Sequence, residues 1–209
     1  APKLVPNRTS TYFIESKGDL SRVLNYIEHD DVSQINEDYA FEAGKTLGKL
    51  HGILAKFDYK PKFKIEHFHD TKKIIDNLNN TVENNRYEYK YECVKEFHRF
   101  ITDRIEQYHL PENLPKQLIH GDPKFDNFLF KNDKVVAMVD FDTIMSGNVL
   151  IDLGDAFRSL CKSGLEFDEK IFQAGLEGYF KENKISYSTD IIKKSISLIT
   201  LELAARFLI

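Results

Sequence analysis

Apolar positions along the chain recur with two different periods. From about Ser33, Ala40, Ala43, Leu47, Leu50 and Leu54 advance in steps of three and four, the spacing of a helix that buries one face. Gly44, Gly48 and Gly52 fall on every fourth position of the same stretch. A glycine inside a helix costs about 1 kcal/mol relative to alanine, so the repeat points to another backbone passing close by. A further helix is expected over about 88–108, with Val94, Phe97, Ile101, Ile105 and Tyr108 on one face and His98 on its flank. Helical patterns also cover 168–182 and 189–209, and "DLGDAFRSLC" (152–161) reads as a helix with Asp152 at its start. The period-two signals are shorter. "TYFIES" and "SRVLNYIE" flank the turn "KGDL"; "QLI" (117–119), "FLF" (128–130) and "VVAMVDF" (135–141) follow, the last two joined by the turn "KNDK". Between the helices, "YKPKFKIEHFHDTKK" (59–73) reads as a polar connector. His67 and His69 in it have no third ligand at a metal-binding spacing and are assigned to the surface. Several helices with a few short strands make the expected class α+β.

Composition narrows this picture. A chain of 209 residues buries a substantial core, as one large domain or two small ones. Acidic residues number 33 against 29 basic, a net charge of −4, so no basic surplus points to nucleic acid. Cys93 and Cys161 lie far apart without a CxxC pair and are expected as free thiols of a reducing, cytoplasmic compartment. No apolar run approaches the roughly 20 residues of a membrane span. The opening "APKLVPNRTS" has no apolar signal-peptide segment. The last helix pattern, "SLITLELAARFLI", meets no stop signal, and only a short strand-like stretch precedes the first turn. Both ends are read as cut, which makes the chain part of a longer protein.

The chemistry concentrates in "IHGDPKFDNFLF" (119–130), where a histidine, acids, an asparagine and a lysine interrupt two apolar runs. Asn127 follows Asp122 by five residues, and Asp140 ends the next strand inside "DFD". Protein kinases place a catalytic-loop Asp, an Asn five residues on and a metal-binding Asp beyond a hairpin in this order. Phosphoryl transfer needs a carboxylate that orients the attacking hydroxyl and takes its proton, the role assigned to Asp122. It also needs hard oxygen ligands for Mg²⁺, which Asn127 and Asp140 supply. His120 is expected as a scaffold residue bonding backbone or the Asp140 region. Lys124 either meets the transferred phosphate or stays in solvent. Neither GxxxxGK[ST] nor GxGxxG occurs, which excludes a Walker loop and a Rossmann fingerprint within the chain.

"LIHGDPKFDNFLF", "VVAMVDFDTIMSG" and "IDLGDAFRS" together resemble the aminoglycoside phosphotransferase/choline kinase superfamily, small-molecule kinases with a protein-kinase-like fold. "DFDTIM", "DLGDAFR" and "LELAARFL" are similar to N-acetylhexosamine 1-kinases within it. The resemblance runs from about residue 22 to the end of the chain. It implies a mostly helical C-terminal lobe (31–209) with a catalytic-loop hairpin, preceded by the end of a small lobe and a hinge (1–30). It implies ATP and Mg²⁺ as cofactors, and a small-molecule hydroxyl acceptor, sugar or amino sugar, with Asp122 beside it. Tyr26, Ile27 and Glu28 become the hinge that meets adenine, Asp152 a brace of the catalytic loop, and Arg206 a sugar contact. An ion pair with Glu202, four residues earlier, is the other reading of Arg206. The family's phosphate-covering loop and strand lysine have no counterpart before residue 11, so the isolated chain is expected to transfer little phosphate. Aminoglycosides and amino alcohols remain alternative acceptors, as does a kinase-like chain without turnover. The absence of Trp weighs mildly against a choline cage.

Overall fold

A computed structural model describes residues 1–63 and 65–209. Among the described residues, six α-helices and four two-stranded ribbons make up the α+β fold that the sequence predicts. The hairpin β1 (Ile14–Ser16) and β2 (Asp19–Ser21) turns through Lys17 and Gly18, both at positive φ, the turn geometry that matches strand twist. The predicted strand over 21–28 does not continue from it. Leu24 bridges back to Leu4, and the rest runs irregularly with Val23 and Tyr26 exposed and Ile27 half-buried.

Helix α1 (Glu37–Leu54) starts later than expected because the Asn36 side chain caps it, accepting the Tyr39 N–H at 2.9 Å. Its buried face holds Ala40, Ala43, Gly44, Leu47, Gly48 and His51, while Leu50 and Leu54 sit at the margin. Helix α2 (Thr71–Asn84) is an element the sequence reading overlooked. Asp70 caps it, and Ile74, Leu78 and Val82 repeat every fourth position on its buried face. Helix α3 (Tyr91–Ile105) buries Ile101 and Ile105 but leaves Phe97 exposed, so the stripe is shorter than predicted.

Strand β3 (Gln117–Ile119) pairs antiparallel with β6 (Met145–Gly147). Between them lies the hairpin of β4 (Phe128–Lys131) and β5 (Lys134–Met138), turned by Asn132 and Asp133 at positive φ. Helix α4 (Val149–Leu160) begins three residues before Asp152, capped by Asn148, whose side-chain oxygen accepts the Leu150 N–H. Asp152 therefore sits within the first turn, where a carboxylate also suits the helix dipole. A small ribbon (Lys162–Ser163 with Glu166–Phe167) leads to α5 (Glu169–Glu182) and then α6 (Thr189–Leu208).

Two apolar cores result. One joins α1, α4, α5 and the β4–β5 hairpin around Leu47, Phe130, Phe157 and Phe172. The other joins α2, α3 and the second half of α6. Helix α6 serves both, giving Ile192 and Ile196 to the first and Leu198, Leu201 and Ala205 to the second.

Helices α1 and α5 cross at backbone contact. A Cβ on Gly44 would lie 1.9 Å from the Gly175 carbonyl oxygen, and one on Gly178 would lie 2.0 Å from that of Phe41. Gly48 similarly faces the Tyr179 carbonyl at 2.6 Å, whereas Gly52 meets nothing within 4 Å. Close approach thus explains two of the three glycines in the α1 repeat. Both cysteines are free, Cys93 exposed and Cys161 buried. Among the described residues no helix is long and apolar enough to cross a membrane.

Candidate active site

The ribbon β3–β6 presents the loop 120–127 at one end, and a buried carboxylate beneath it fixes the loop's shape. Asp152 accepts the His120 N–H at 2.7 Å on Oδ2 and the Gly121 N–H at 2.8 Å on Oδ1. Its Oδ2 also accepts from His51 Nε2 at 2.9 Å, and His51 Nδ1 meets the Tyr179 hydroxyl at 2.8 Å. Asp152 and His51 are wholly enclosed. Burial alone pushes the Asp152 carboxyl up. The hydrogen bond and charge of His51, with the Gly121 N–H, outweigh it and hold the group below the usual carboxylate range.

His120 joins the two halves of the site. Its Nε2 donates to the Val139 carbonyl at 3.0 Å, one residue before Asp140, and its Nδ1 faces the Asp122 N–H at 3.3 Å. Those two contacts require the tautomer with the proton on Nε2. Thr143 Oγ1 returns a bond to the His120 carbonyl at 2.8 Å. Gly121 has φ +88°, and a Cβ there would lie 2.4 Å from the Thr143 carbonyl oxygen, so only glycine fits where the two loops touch.

Asn127 is buried, and its Nδ2 donates to the Asp122 carbonyl at 2.7 Å. Its own carbonyl accepts the Val139 N–H at 3.0 Å, which places Asn127 next to the strand that ends at Asp140. Asp140 is exposed at φ +64°, and among the described residues its carboxylate accepts no hydrogen bond. Nδ2 is committed to the loop, and among the described residues the Asn127 amide oxygen accepts no hydrogen bond. A neutral amide oxygen and an unengaged carboxylate are a hard-oxygen pair suited to a divalent cation.

Asp122 is half-buried, and Lys124 Nζ contacts its Oδ2 at 2.9 Å. That hydrogen bond raises the Lys124 ammonium above its ordinary pKa despite some burial. Asp155, one turn beyond Asp152, is nearly enclosed. Its Oδ1 accepts the Arg158 Nε–H at 3.0 Å while its Oδ2 has no partner among the described residues. Burial pushes this carboxyl up and Arg158 pulls it back. Asp122 adds to the upward push, which prevails.

The remaining predicted residues lie apart from this network. Tyr26 is exposed, Ile27 is half-buried with its carbonyl bonded to His29 Nδ1 at 2.8 Å, and Glu28 pairs with Lys131 at 2.6 Å. Arg22, which the sequence did not single out, makes a bidentate pair with Asp142, two residues past Asp140. Arg206 does not pair with Glu202. Its guanidinium carbon lies 5.3 Å from the Phe68 ring centre, and its Nε is buried without a partner among the described residues. Glu202 instead binds Thr71 and His69. His69 is therefore not the surface residue that its lysine-rich surroundings suggest.

Sequence comparison decides the family. The model of the phosphotransferase enzyme family APH matches residues 1–184. The chain belongs to this family. Its fold is similar to that of amicoumacin kinase in complex with AMP-PNP, Ca²⁺ and Ami, at 15% identity and TM-score 0.68, covering 99% of this chain and 64% of that one. Spectinomycin phosphotransferase in complex with ADP and spectinomycin gives 15% identity and TM-score 0.63, covering 98% and 65%. A choline/ethanolamine kinase family protein from Mesorhizobium loti gives 16% and 0.58, covering 100% and 65%. The chain spans about two-thirds of the length of these kinase-like structures.

Proposed function

We propose that this APH-family chain carries the catalytic loop of an ATP-dependent kinase that transfers the γ-phosphate to a small-molecule hydroxyl, that of an N-acetylhexosamine in the first instance. The observation that carries the reading is the fastening of three groups to one another. Asn127 bonds the Asp122 carbonyl, and His120 and Asn127 both bond Val139, the neighbour of Asp140. Asp122 is the base: it orients the acceptor hydroxyl and receives its proton as the oxygen attacks phosphorus. Lys124, whose Nζ contacts Asp122 Oδ2, is placed to meet the transferred phosphate. Asn127 and Asp140 would hold Mg²⁺, which would offset the phosphate charge. Tyr26, Ile27 and Glu28 line the adenine side. The division into a hinge side (1–30) and a catalytic lobe (31–209) is part of the same proposal. The adenine nucleotides bound to amicoumacin kinase and spectinomycin phosphotransferase support ATP as donor.

The sugar rests on the resemblance of "DFDTIM" and "LELAARFL", with Arg206 as its contact. One observation favours a second reading, an aminoglycoside or other amino alcohol: the buried, unpaired Oδ2 of Asp155 near Asp122 suits an acceptor ammonium. ADP release by the full-length protein with ATP and Mg²⁺ separates the two, using N-acetylglucosamine, N-acetylgalactosamine, kanamycin and choline as acceptors. We expect the N-acetylated sugars to be turned over and Asp122→Asn to lower kcat at least about 10²-fold, the lower range for a positioned base. Turnover of kanamycin alone selects the second reading. An Asp122→Asn variant with a near-normal rate rejects the mechanism.

A further inference from the structure

His69 precedes α2 and stands at φ +55°, a left-handed conformation that residues with a Cβ seldom adopt. Its side chain is 2% exposed, yet both ring nitrogens are engaged. Nδ1 lies 3.0 Å from Glu202 Oε2 and Nε2 lies 2.8 Å from the Gly121 carbonyl oxygen. A carboxylate and a carbonyl only accept, and a neutral imidazole has a single N–H. The doubly protonated ring alone satisfies both partners.

The position of the second contact gives the arrangement its meaning. The peptide linking Gly121 to Asp122 is held at both poles: its C=O by His69 and its N–H by His120 Nδ1. The preceding peptide donates its N–H, that of Gly121, to Asp152. The backbone that launches the Asp122 side chain is thus gripped from α4 below and from α6 through His69. We propose that His69 is a positioning residue, a buried imidazolium that clamps Glu202 of α6 to the Gly121–Asp122 peptide and so aims the Asp122 carboxylate. The groups facing the ring are Glu202 from α6, Asp155 from α4, the Gly121 carbonyl and the tilted ring of Phe68, its centroid 4.3 Å away. Burial opposes the ring's charge, but the Glu202 carboxylate outweighs it, and the imidazole is held above its ordinary value.

The clamp itself does not depend on the kinase reading, whereas its effect on turnover does, so the test has two arms on the full-length protein. In the first, ¹⁵N-histidine NMR is recorded at neutral pH, with the His69 signals assigned by their loss in His69→Gln. We expect both ring nitrogens of His69 to carry protons, the ring to become neutral in Glu202→Gln, and the Asp122 amide to exchange at least about tenfold faster in either variant. A neutral ring in the parent protein, or unchanged Asp122 exchange in both variants, overturns the clamp.

In the second arm kcat is followed against pH. His69→Gln should lower kcat by about 10–100-fold, the scale of a small misplacement of a reacting group, with KM for ATP little changed. The alkaline fall of the parent profile should move to lower pH in Glu202→Gln, a shift that a packing role alone would not produce. Unaltered profiles in both variants overturn the positioning role. Should His69→Gln fail to fold, Glu202→Gln, which preserves shape, carries both arms. Absence of turnover with every acceptor would reject the proposed function and leave the first arm to decide the clamp.

Discussion

The loops bearing Asp122 and Asp140 are braced in opposite ways. Beneath the Asp122 loop a fully enclosed Asp152 accepts three hydrogen bonds, two from backbone and one from His51. Beside the Asp140 loop the brace is the Arg22–Asp142 pair, whose side chains are 48% and 59% exposed. The first brace is held by desolvation: with water excluded, every unmade bond is costly. The second competes with water and salt for both partners, and exposed pairs contribute little. The enclosed brace is thus the stronger of the two, and the exposed pair adds little to the bonds that already tie the Asp140 loop to His120 and Asn127.

Substitutions sharpen the contrast. Asp152→Asn should have the largest effect. Its amide cannot accept from both backbone N–H groups and His51, and its NH₂ would face donors. We expect a loss of about 3–5 kcal/mol in chemical denaturation, the range for breaking a buried pair. The same variant tests the pH dependence. Because the folded-state pKa of Asp152 is lowered, its stabilisation is complete above the ordinary carboxylate range, near pH 4, and is lost as pH falls through the folded value. The parent protein should lose stability steeply there, and Asp152→Asn should show a flatter acid limb. Gly121→Ala comes next, at about 2–4 kcal/mol, combining a left-handed φ with the Thr143 clash. Arg22→Ala should be smallest, under about 1 kcal/mol, and added salt should erase most of it. A loss as large as that of Asp152→Asn would mean that the two braces are equivalent.

Much of this contrast was legible in the sequence, and the missing part has a physical reason. The five-residue step from Asp122 to Asn127 and the Asp140 that ends β5 are local patterns, and short loops between paired strands follow from them. Helices α1, α5 and α6 were visible because their apolar positions are periodic. Helix α2 was hidden by its asparagine- and lysine-rich outer face, although Asp70 marked its cap and Ile74, Leu78 and Val82 its core side. The partners of the site were harder to find. His51 lies four residues after Leu47 on a buried stripe, and a histidine at such a position was a usable signal. Nothing local marks His69 as bonding Glu202, 133 residues away. Its lysine-rich neighbours suggested solvent, and only tertiary packing puts it under cover.

The crossing of α1 and α5 extends beyond packing. With carbonyl oxygens pressed against glycine Cα atoms at Gly44 and Gly178, no shorter helix separation exists and no larger side chain is admitted. His51 on α1 and Tyr179 on α5 inherit that fixed spacing, so the hydrogen bond between them that ends at Asp152 is set by a hard stop rather than by an adjustable fit. Such a stop makes widely separated positions of the chain answerable to one another. Two glycines remote from the loop 120–127 are thus held to glycine by the backbone that passes them.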